Sequence, residues 1–138
     1  IMWEGYCPVH DVLTLAQVET QAALHPEAKI VVHPECPPEV TRRADAVCST
    51  AGILKYVQNS PVREFIIGTE EGFLHTLKQN CPGKTFYLAR SGFICPDMKY
   101  ITLDKLAAAL DQMTCKVEVP PDIRQKAFHT LDRMLVLR

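Results

Sequence analysis

The first ninety residues alternate short apolar runs with longer amphipathic stretches. The apolar runs, rich in Ile, Val and Phe, predict buried strands at 29–33, 45–48, 64–68 and 84–88. The stretches between them predict helices: one capped by Asp11 or Thr14 and ending near His25, one over 37–44, one over 50–59 and one from after Glu71 to Gln79. This repeat of strand, polar tip and helix predicts an α/β fold, a three-layer αβα domain with a four-stranded parallel sheet.

The rhythm breaks after Ala89. A loop containing Gly and Pro surrounds Cys95, and two more helices are predicted, over 102–112 with Thr102 as its cap and from Pro121 onward. The last helix carries an apolar seam that we expect to pack on this domain or on a neighbouring one. The seam consists of Ile123, Ala127, Leu131 and Met134.

The first predicted strand ends in residues capable of chemistry. Ile30, Val31 and Val32 show no polar alternation, which indicates a strand covered on both faces. His33, Glu35 and Cys36 follow it, and open parallel sheets bind ligands beyond the carboxyl ends of their strands. A polar turn leading into a helix N-cap is the alternative interpretation.

Charge and length exclude some classes of protein. The chain has 138 residues, 15 Lys plus Arg and 16 Asp plus Glu, a formal net charge of -1. With charges so nearly balanced, the sequence shows no excess of positive charge of the kind that binds nucleic acid or an anionic membrane. No apolar run approaches the roughly 20 residues needed to span a bilayer, so we expect a soluble cytoplasmic protein. The initial Ile suggests processing or truncation.

Cysteines and hydroxyls supply further candidates. The six cysteines are spread without Cys-x-x-Cys pairs, so neither a disulfide scaffold nor a local metal finger is predicted. Cys7 and His10 share a loop and could form a nucleophile pair, bind a metal, or be a buried thiol beside an imidazole. Ser49 and Thr50 open a helix, where they could bind phosphate or carboxylate or serve only as a cap.

Several motifs together resemble one enzyme family. They are Gly-Tyr-Cys-Pro-Val-His, Val-His-Pro-Glu-Cys, Ser-Thr-Ala-Gly-Ile, Ile-Gly-Thr-Glu and Ile-Cys-Pro-Asp-Met-Lys, with Glu-Val-Pro and Arg-Met-Leu near the end. In this order they resemble quinolinate synthase, the NadA family, over essentially the whole chain. Members of that family are roughly twice this length, so the chain resembles their C-terminal portion.

The resemblance implies one of three pseudo-symmetric αβα domains around a 4Fe-4S cluster. Residues 1–10 would be the end of the preceding domain with a cluster loop, 11–95 the αβα domain, and 96–138 a C-terminal helical segment. Cys7 and Cys95 match two cluster ligands, and the third would come from an N-terminal part that this sequence does not include. We therefore expect the 138-residue chain to fold but, by itself, to be inactive and to hold no normal cluster.

The implied reaction condenses iminoaspartate with dihydroxyacetone phosphate to quinolinate, for NAD biosynthesis, with the cluster as a Lewis acid. Glu35, which we expect to be partly desolvated, would be the general acid or base. His10 and His33 would orient or polarise substrate oxygens, and Ser49 and Thr50 would bind phosphate or carboxylate.

Other positions qualify this picture. Met98 is expected to line the cluster pocket, whereas Cys48 and Asp97 stand where many relatives have Gly and Asn, and Cys48 would narrow the site. Four cysteines are expected to be structural or incidental: Cys36, Cys48, Cys81 and Cys115. The alternative functions are a Cys/His thiol-dependent hydrolase and a non-catalytic small-molecule-binding αβα domain.

Overall fold

The computed structural model describes residues 5–114 and 116–137, which form two compact units, the first ending at Asp97 and the second beginning at Met98. Cys115 lies outside the described residues. The strands are β1 (Lys29–Val32), β2 (Ala46–Val47), β3 (Glu64–Gly68) and β4 (Thr85–Leu88). The helices are α1 (Leu15–Leu24), α2 (Pro38–Arg43), α3 (Thr50–Asn59), α4 (Phe73–Asn80), α5 (Leu103–Gln112) and α6 (Pro121–Val136). A 3₁₀ turn covers Asp97–Lys99.

The four strands form one sheet in the order β2-β1-β3-β4, and each neighbouring pair is parallel. In the central pair, Ile30 is opposite Ile66 and Val32 is opposite Gly68. The predicted four-stranded parallel sheet is therefore confirmed. Because β1 and β3 are neighbours, the residues that follow them emerge side by side at the same edge.

β1 is covered on both faces, as its unbroken apolar run predicts. Ile30 and Val32 pack into a core with Val18 of α1 and Val40 of α2. Val31 points to the opposite core, whose other buried members are Ile53, Val57, Phe65, Ile67, Leu77, Cys81 and Phe86. Helices thus cover both faces of the sheet, which confirms the three-layer αβα architecture.

Local sequence signals set the helix starts. Thr14, not Asp11, caps α1: its hydroxyl accepts the N–H of Gln17, and the Gln17 side chain accepts the N–H of Thr14, completing a capping box. Ser49 caps α3 by accepting the N–H of Gly52. Proline in the first turn of α2 fits because those N–H groups have no helical partner.

β2 is shorter than predicted, covering Ala46–Val47 instead of residues 45–48. The residues on either side of β2 still donate a backbone N–H to β1, Asp45 to the Ile30 carbonyl and Cys48 to the Val32 carbonyl. The Asp45 side chain adds two bonds: its Oδ2 accepts the N–H of Ile30 at 2.8 Å and its Oδ1 accepts from Lys29 Nζ at 2.7 Å. The carboxylate thus fastens the start of β1 to the loop before β2. Burial raises the pKa of Asp45, but the Lys29 and Ile30 hydrogen bonds and the Lys29 and Arg43 charges together lower it below its ordinary value.

We expect Asp45→Asn to destabilise the chain by about 0.5 to 1 kcal/mol at pH 7, because the amide loses the ion pair with Lys29. Folding lowers the pKa of this carboxyl, so the carboxyl contributes its full stabilisation of the folded state at a pH above its unfolded pKa. This contribution is lost as the pH falls through the folded pKa. The difference between wild type and variant should therefore narrow below about pH 4. Urea unfolding between pH 2 and 7 measures it, with exposed Asp11→Asn as the control. A constant difference over that range would contradict the assignment.

The second unit contains α5 and α6. Thr102 caps α5 as predicted, accepting the N–H of Lys105. The predicted seam of α6 is exposed within the described unit, as shown by Ile123, Leu131 and Met134.

Among the described residues, no helix combines the length and the apolar character that a membrane crossing requires.

Candidate active site

Two polar segments meet where β1 and β3 end. His33 follows β1, and its N–H donates to the carbonyl of Gly68, the last residue of β3. Thr69 and Glu70 follow Gly68 and are both buried. The carboxyl edge of the sheet thus places His33 and Thr69 on adjacent strands.

His10 enters this edge from the Cys7 loop. The loop is anchored by the buried side chains of Val9 and Leu13 and by the Asp11 N–H, which donates to the Cys7 carbonyl. His10 is itself only 8% exposed. Two rings fix its plane: that of His33, stacked with centroids 4.3 Å apart, and that of Phe93, edge-on at 5.9 Å.

Both nitrogens of His10 have partners. Nδ1 lies 3.1 Å from Glu35 Oε2, and Nε2 lies 3.0 Å from Thr69 Oγ1. An ionised carboxylate can only accept hydrogen bonds. The neutral ring therefore carries its proton on Nδ1, and this N–H donates a hydrogen bond to Glu35. Nε2 then accepts from the Thr69 hydroxyl, so the network fixes one tautomer.

Burial is the main reason why the pKa of His10 is lowered, and neighbouring His33 lowers it further. The charge and hydrogen bond of Glu35 act in the opposite direction and only partly offset this. His10 is therefore neutral at pH 7. It holds the Glu35 carboxylate by a hydrogen bond from a neutral ring.

His33 has the other tautomer. The backbone N–H of Glu35 donates to His33 Nδ1 at 3.3 Å, so the proton of the neutral ring lies on Nε2. His33 can thus donate from Nε2 to a ligand oxygen. The Glu35 side chain is 53% exposed, on a turn at the surface that follows Pro34.

Cys7 joins this group, whereas Cys95 lies in a second loop. Cys7 Sγ, a His10 nitrogen and a Glu35 oxygen lie within 4.8 Å of one another. Both thiols are free, half-buried and packed against the same hydrophobic core. Their loops also line a common cleft of about 430 Å³, in which Pro8 and Val9 face the segment around Phe93. Thiolates are the usual ligands of iron–sulfur clusters, so this chain offers suitable chemistry for two of the anchors.

Ser49 and Thr50 lie at the same edge of the sheet, after β2, the strand beside β1. Both are exposed, and the Ser49 hydroxyl is occupied as the cap of α3. Within the described residues neither makes a hydrogen bond to His10, His33 or Glu35. The N–H groups in the first turn of a helix lack helical acceptors and attract anions, and in α3 the Gly52 N–H is already bound by the Ser49 hydroxyl.

The remaining candidates take no part in the two hydrogen bonds of the His10 ring. Met98 is 62% exposed and begins the second unit. Cys36 is buried, and burial raises its pKa to about 12, which makes it a poor metal ligand in this environment. The Cys48 side chain packs against the core on the α3 side, where a Cβ on Gly52 would come within 2.9 Å of Cys48 Cβ.

Thr69 is a contact residue that sequence reasoning missed. It is 2% exposed and touches His10 from a position 59 residues further along the chain. The available signal was its place as the first polar residue after an apolar strand. That signal becomes specific only when β3 is known to lie beside β1.

Comparison with known proteins identifies the family. The family model described as Quinolinate synthetase A protein matches residues 1–136. Quinolinate synthase from Desulforudis audaxviator (strain MP104C) is 47% identical over 137 residues, 99% of this chain and 45% of that protein. Quinolinate synthase 1 from Methanosarcina acetivorans is 46% identical over 138 residues, 100% of this chain and 45% of that protein. The chain therefore spans about 45% of the length of these curated relatives. These matches confirm the resemblance read from the motifs: the chain belongs to the quinolinate synthetase A family.

Proposed function

We propose that this chain supplies part of the active site of a cytoplasmic quinolinate synthase, which condenses iminoaspartate with dihydroxyacetone phosphate. The observation that carries the proposal is the Glu35 carboxylate, bound by His10 and adjacent to His33 at the sheet edge. Free thiols at all five cysteines of the described chain fit a reducing compartment.

Glu35 is the proposed proton acceptor. Its Oε2 is held by His10, while Oε1 makes no hydrogen bond within the described residues. The exposed side chain can reach a substrate carbon or hydroxyl, and condensation to an aromatic ring requires several proton transfers at such atoms. Holding one oxygen fixes the direction in which the other accepts a proton.

His33 is the proposed donor to a substrate oxygen. Its Nδ1 accepts from the Glu35 backbone N–H, so Nε2 carries a proton that it can donate to a substrate carbonyl. The N-terminal turn of α3, opened by Ser49 and Thr50, is proposed to bind the phosphate or a carboxylate.

Cys7 and Cys95 would hold the 4Fe-4S cluster, together with a third cysteine from the N-terminal part of a complete enzyme. When bound, the cluster would supply Lewis-acid polarisation of a substrate oxygen. The position of Cys7 beside His10 and Glu35 supports this placement, because the proton-transfer groups would then border the cluster.

The thiol-hydrolase alternative has less support. A hydrolase needs a base that takes the proton of Cys7. His10, which has a nitrogen within 4.8 Å of Cys7 Sγ, has both nitrogens engaged, one with Glu35 and one with Thr69. No proton-accepting nitrogen of His10 is left for the thiol.

Serine substitutions in the complete enzyme test the cluster assignment. Cys7→Ser and Cys95→Ser should each abolish cluster incorporation, because the cluster loses a protein anchor. Cys81→Ser, a buried thiol beyond the cleft, is the matched control and should keep normal iron and sulfide. Iron and sulfide are measured after anaerobic reconstitution. Normal content in Cys95→Ser, or loss in Cys81→Ser, would reassign the ligands.

A further inference from the structure

Three different metal donors lie close together at the carboxyl edge of the sheet. Cys7 offers a sulfur, His10 an imidazole nitrogen and Glu35 a carboxylate oxygen, and these atoms all lie within 4.8 Å of one another. Cys95 is not a member of this group. We propose that Cys7, His10 and Glu35 form a mononuclear site for Zn²⁺, with the fourth position open to water.

The spacing suits a small ion after minor adjustment. Bonds of about 2.0 to 2.3 Å in a tetrahedron place ligand atoms about 3.3 to 3.8 Å apart. His10 Nδ1 and Glu35 Oε2 are already 3.1 Å apart. Glu35 is on an exposed turn and Cys7 is half-buried, so both side chains can close on an ion while the core that anchors His10 stays fixed.

Thr69 completes the outer part of the site. A zinc-bound histidine usually donates its second N–H to an oxygen, which fixes the ring orientation. With the metal on Nδ1, the proton of His10 moves to Nε2, where the buried Thr69 hydroxyl lies 3.0 Å away. The hydroxyl that donates to the metal-free ring would then rotate to accept.

The donor types select the ion. A thiolate and an imidazole disfavour Mg²⁺ and Ca²⁺, which prefer oxygen ligands, and suit Zn²⁺. When the ion binds, the Cys7 thiol loses its proton to solvent. The proton on His10 Nδ1 is replaced by the ion, and Nε2 takes up a proton instead. Binding therefore releases one proton in all. No electron is exchanged.

The site has a regulatory consequence. Cys7 cannot serve Zn²⁺ and the iron–sulfur cluster at once, so the ion would block cluster incorporation by occupying one anchor. This competition, unlike Zn²⁺ binding itself, rests on the proposed function.

Cobalt titration of the 138-residue chain under anaerobic conditions tests the site, with Co²⁺ as a coloured substitute for Zn²⁺. We expect one equivalent of Co²⁺, a near-ultraviolet thiolate-to-cobalt band, and its displacement by one equivalent of Zn²⁺. Cys7→Ser should abolish the band, and Glu35→Gln should weaken binding at least roughly 10-fold. Thr69→Val should weaken it by roughly 10-fold and Thr69→Ser should restore it.

Cys95→Ser is the control that separates the two metal assignments. It should bind Co²⁺ like the wild type, although it is expected to lose the cluster in the complete enzyme. No stoichiometric binding, or binding that survives Cys7→Ser or requires Cys95, would overturn the zinc site and leave the cluster test unaffected. In the complete apoenzyme, Zn²⁺ added before reconstitution should lower iron incorporation in proportion to its occupancy. Undiminished incorporation at full occupancy would overturn the competition.

Discussion

Glu35→Gln should lower turnover of the complete enzyme by roughly 10²-fold or more while cluster content stays normal. Glutamine has the same size, and its carbonyl oxygen can still accept from His10 Nδ1. The neutral amide cannot take a proton from the substrate. The chemical step should therefore suffer more than substrate binding, so kcat should fall more than KM rises.

Steady-state kinetics on Glu35→Gln and on Glu39→Gln measure this effect. Glu39 is an exposed residue in the first turn of α2, and its substitution should leave kcat within a factor of about two. Near-normal turnover of Glu35→Gln with weakened substrate binding would make Glu35 a positioning residue. The proton acceptor would then be His10, His33 or a group in the N-terminal part.

Phe65→Ala should destabilise the chain by about 3 to 5 kcal/mol, the largest effect that we expect on folding. Phe65 is fully buried as the second residue of β3, edge-on to Tyr56 and stacked near Phe86. Lys84 Nζ also lies 5.3 Å from the centre of its ring. Truncation removes these contacts and opens a cavity that the rigid central strand cannot close.

Denaturant unfolding of the first unit, followed by far-ultraviolet circular dichroism, provides the measurement. Phe128→Ala is the matched control, because Phe128 is 70% exposed on α6 and its loss should cost at most about 0.5 kcal/mol. An equal loss of stability in both variants would show that the core around β3 is not the main source of stability.

Much of the fold follows from local patterns in the sequence. The run of Ile30, Val31 and Val32 lacks alternation because each face of β1 packs on a helix layer, and this pattern is readable without a structure. The caps at Thr14 and Ser49 are equally local, since a hydroxyl and an N–H three residues later form the bond. The placement of His33 and Glu35 at a carboxyl edge follows from the same run.

The contacts within the candidate site were not readable in this way. The bond between His10 and Thr69, like the stacking of His10 on His33, depends on the order in which the strands pair. Several strand orders share the same hydrophobic pattern, so sequence spacing cannot choose among them. The exposure of Glu35 likewise depends on the turn after Pro34, which no periodicity describes.

Quinolinate formation by the complete enzyme is the most direct test of the account. Anaerobic protein with a reconstituted cluster is supplied with iminoaspartate and dihydroxyacetone phosphate, and quinolinate and phosphate are quantified. We predict that both products form together in equal amounts, only with both substrates, and that the 138-residue chain alone forms neither. A cluster-loaded enzyme that makes no quinolinate from these two substrates, or a 138-residue chain that makes it alone, would contradict the account.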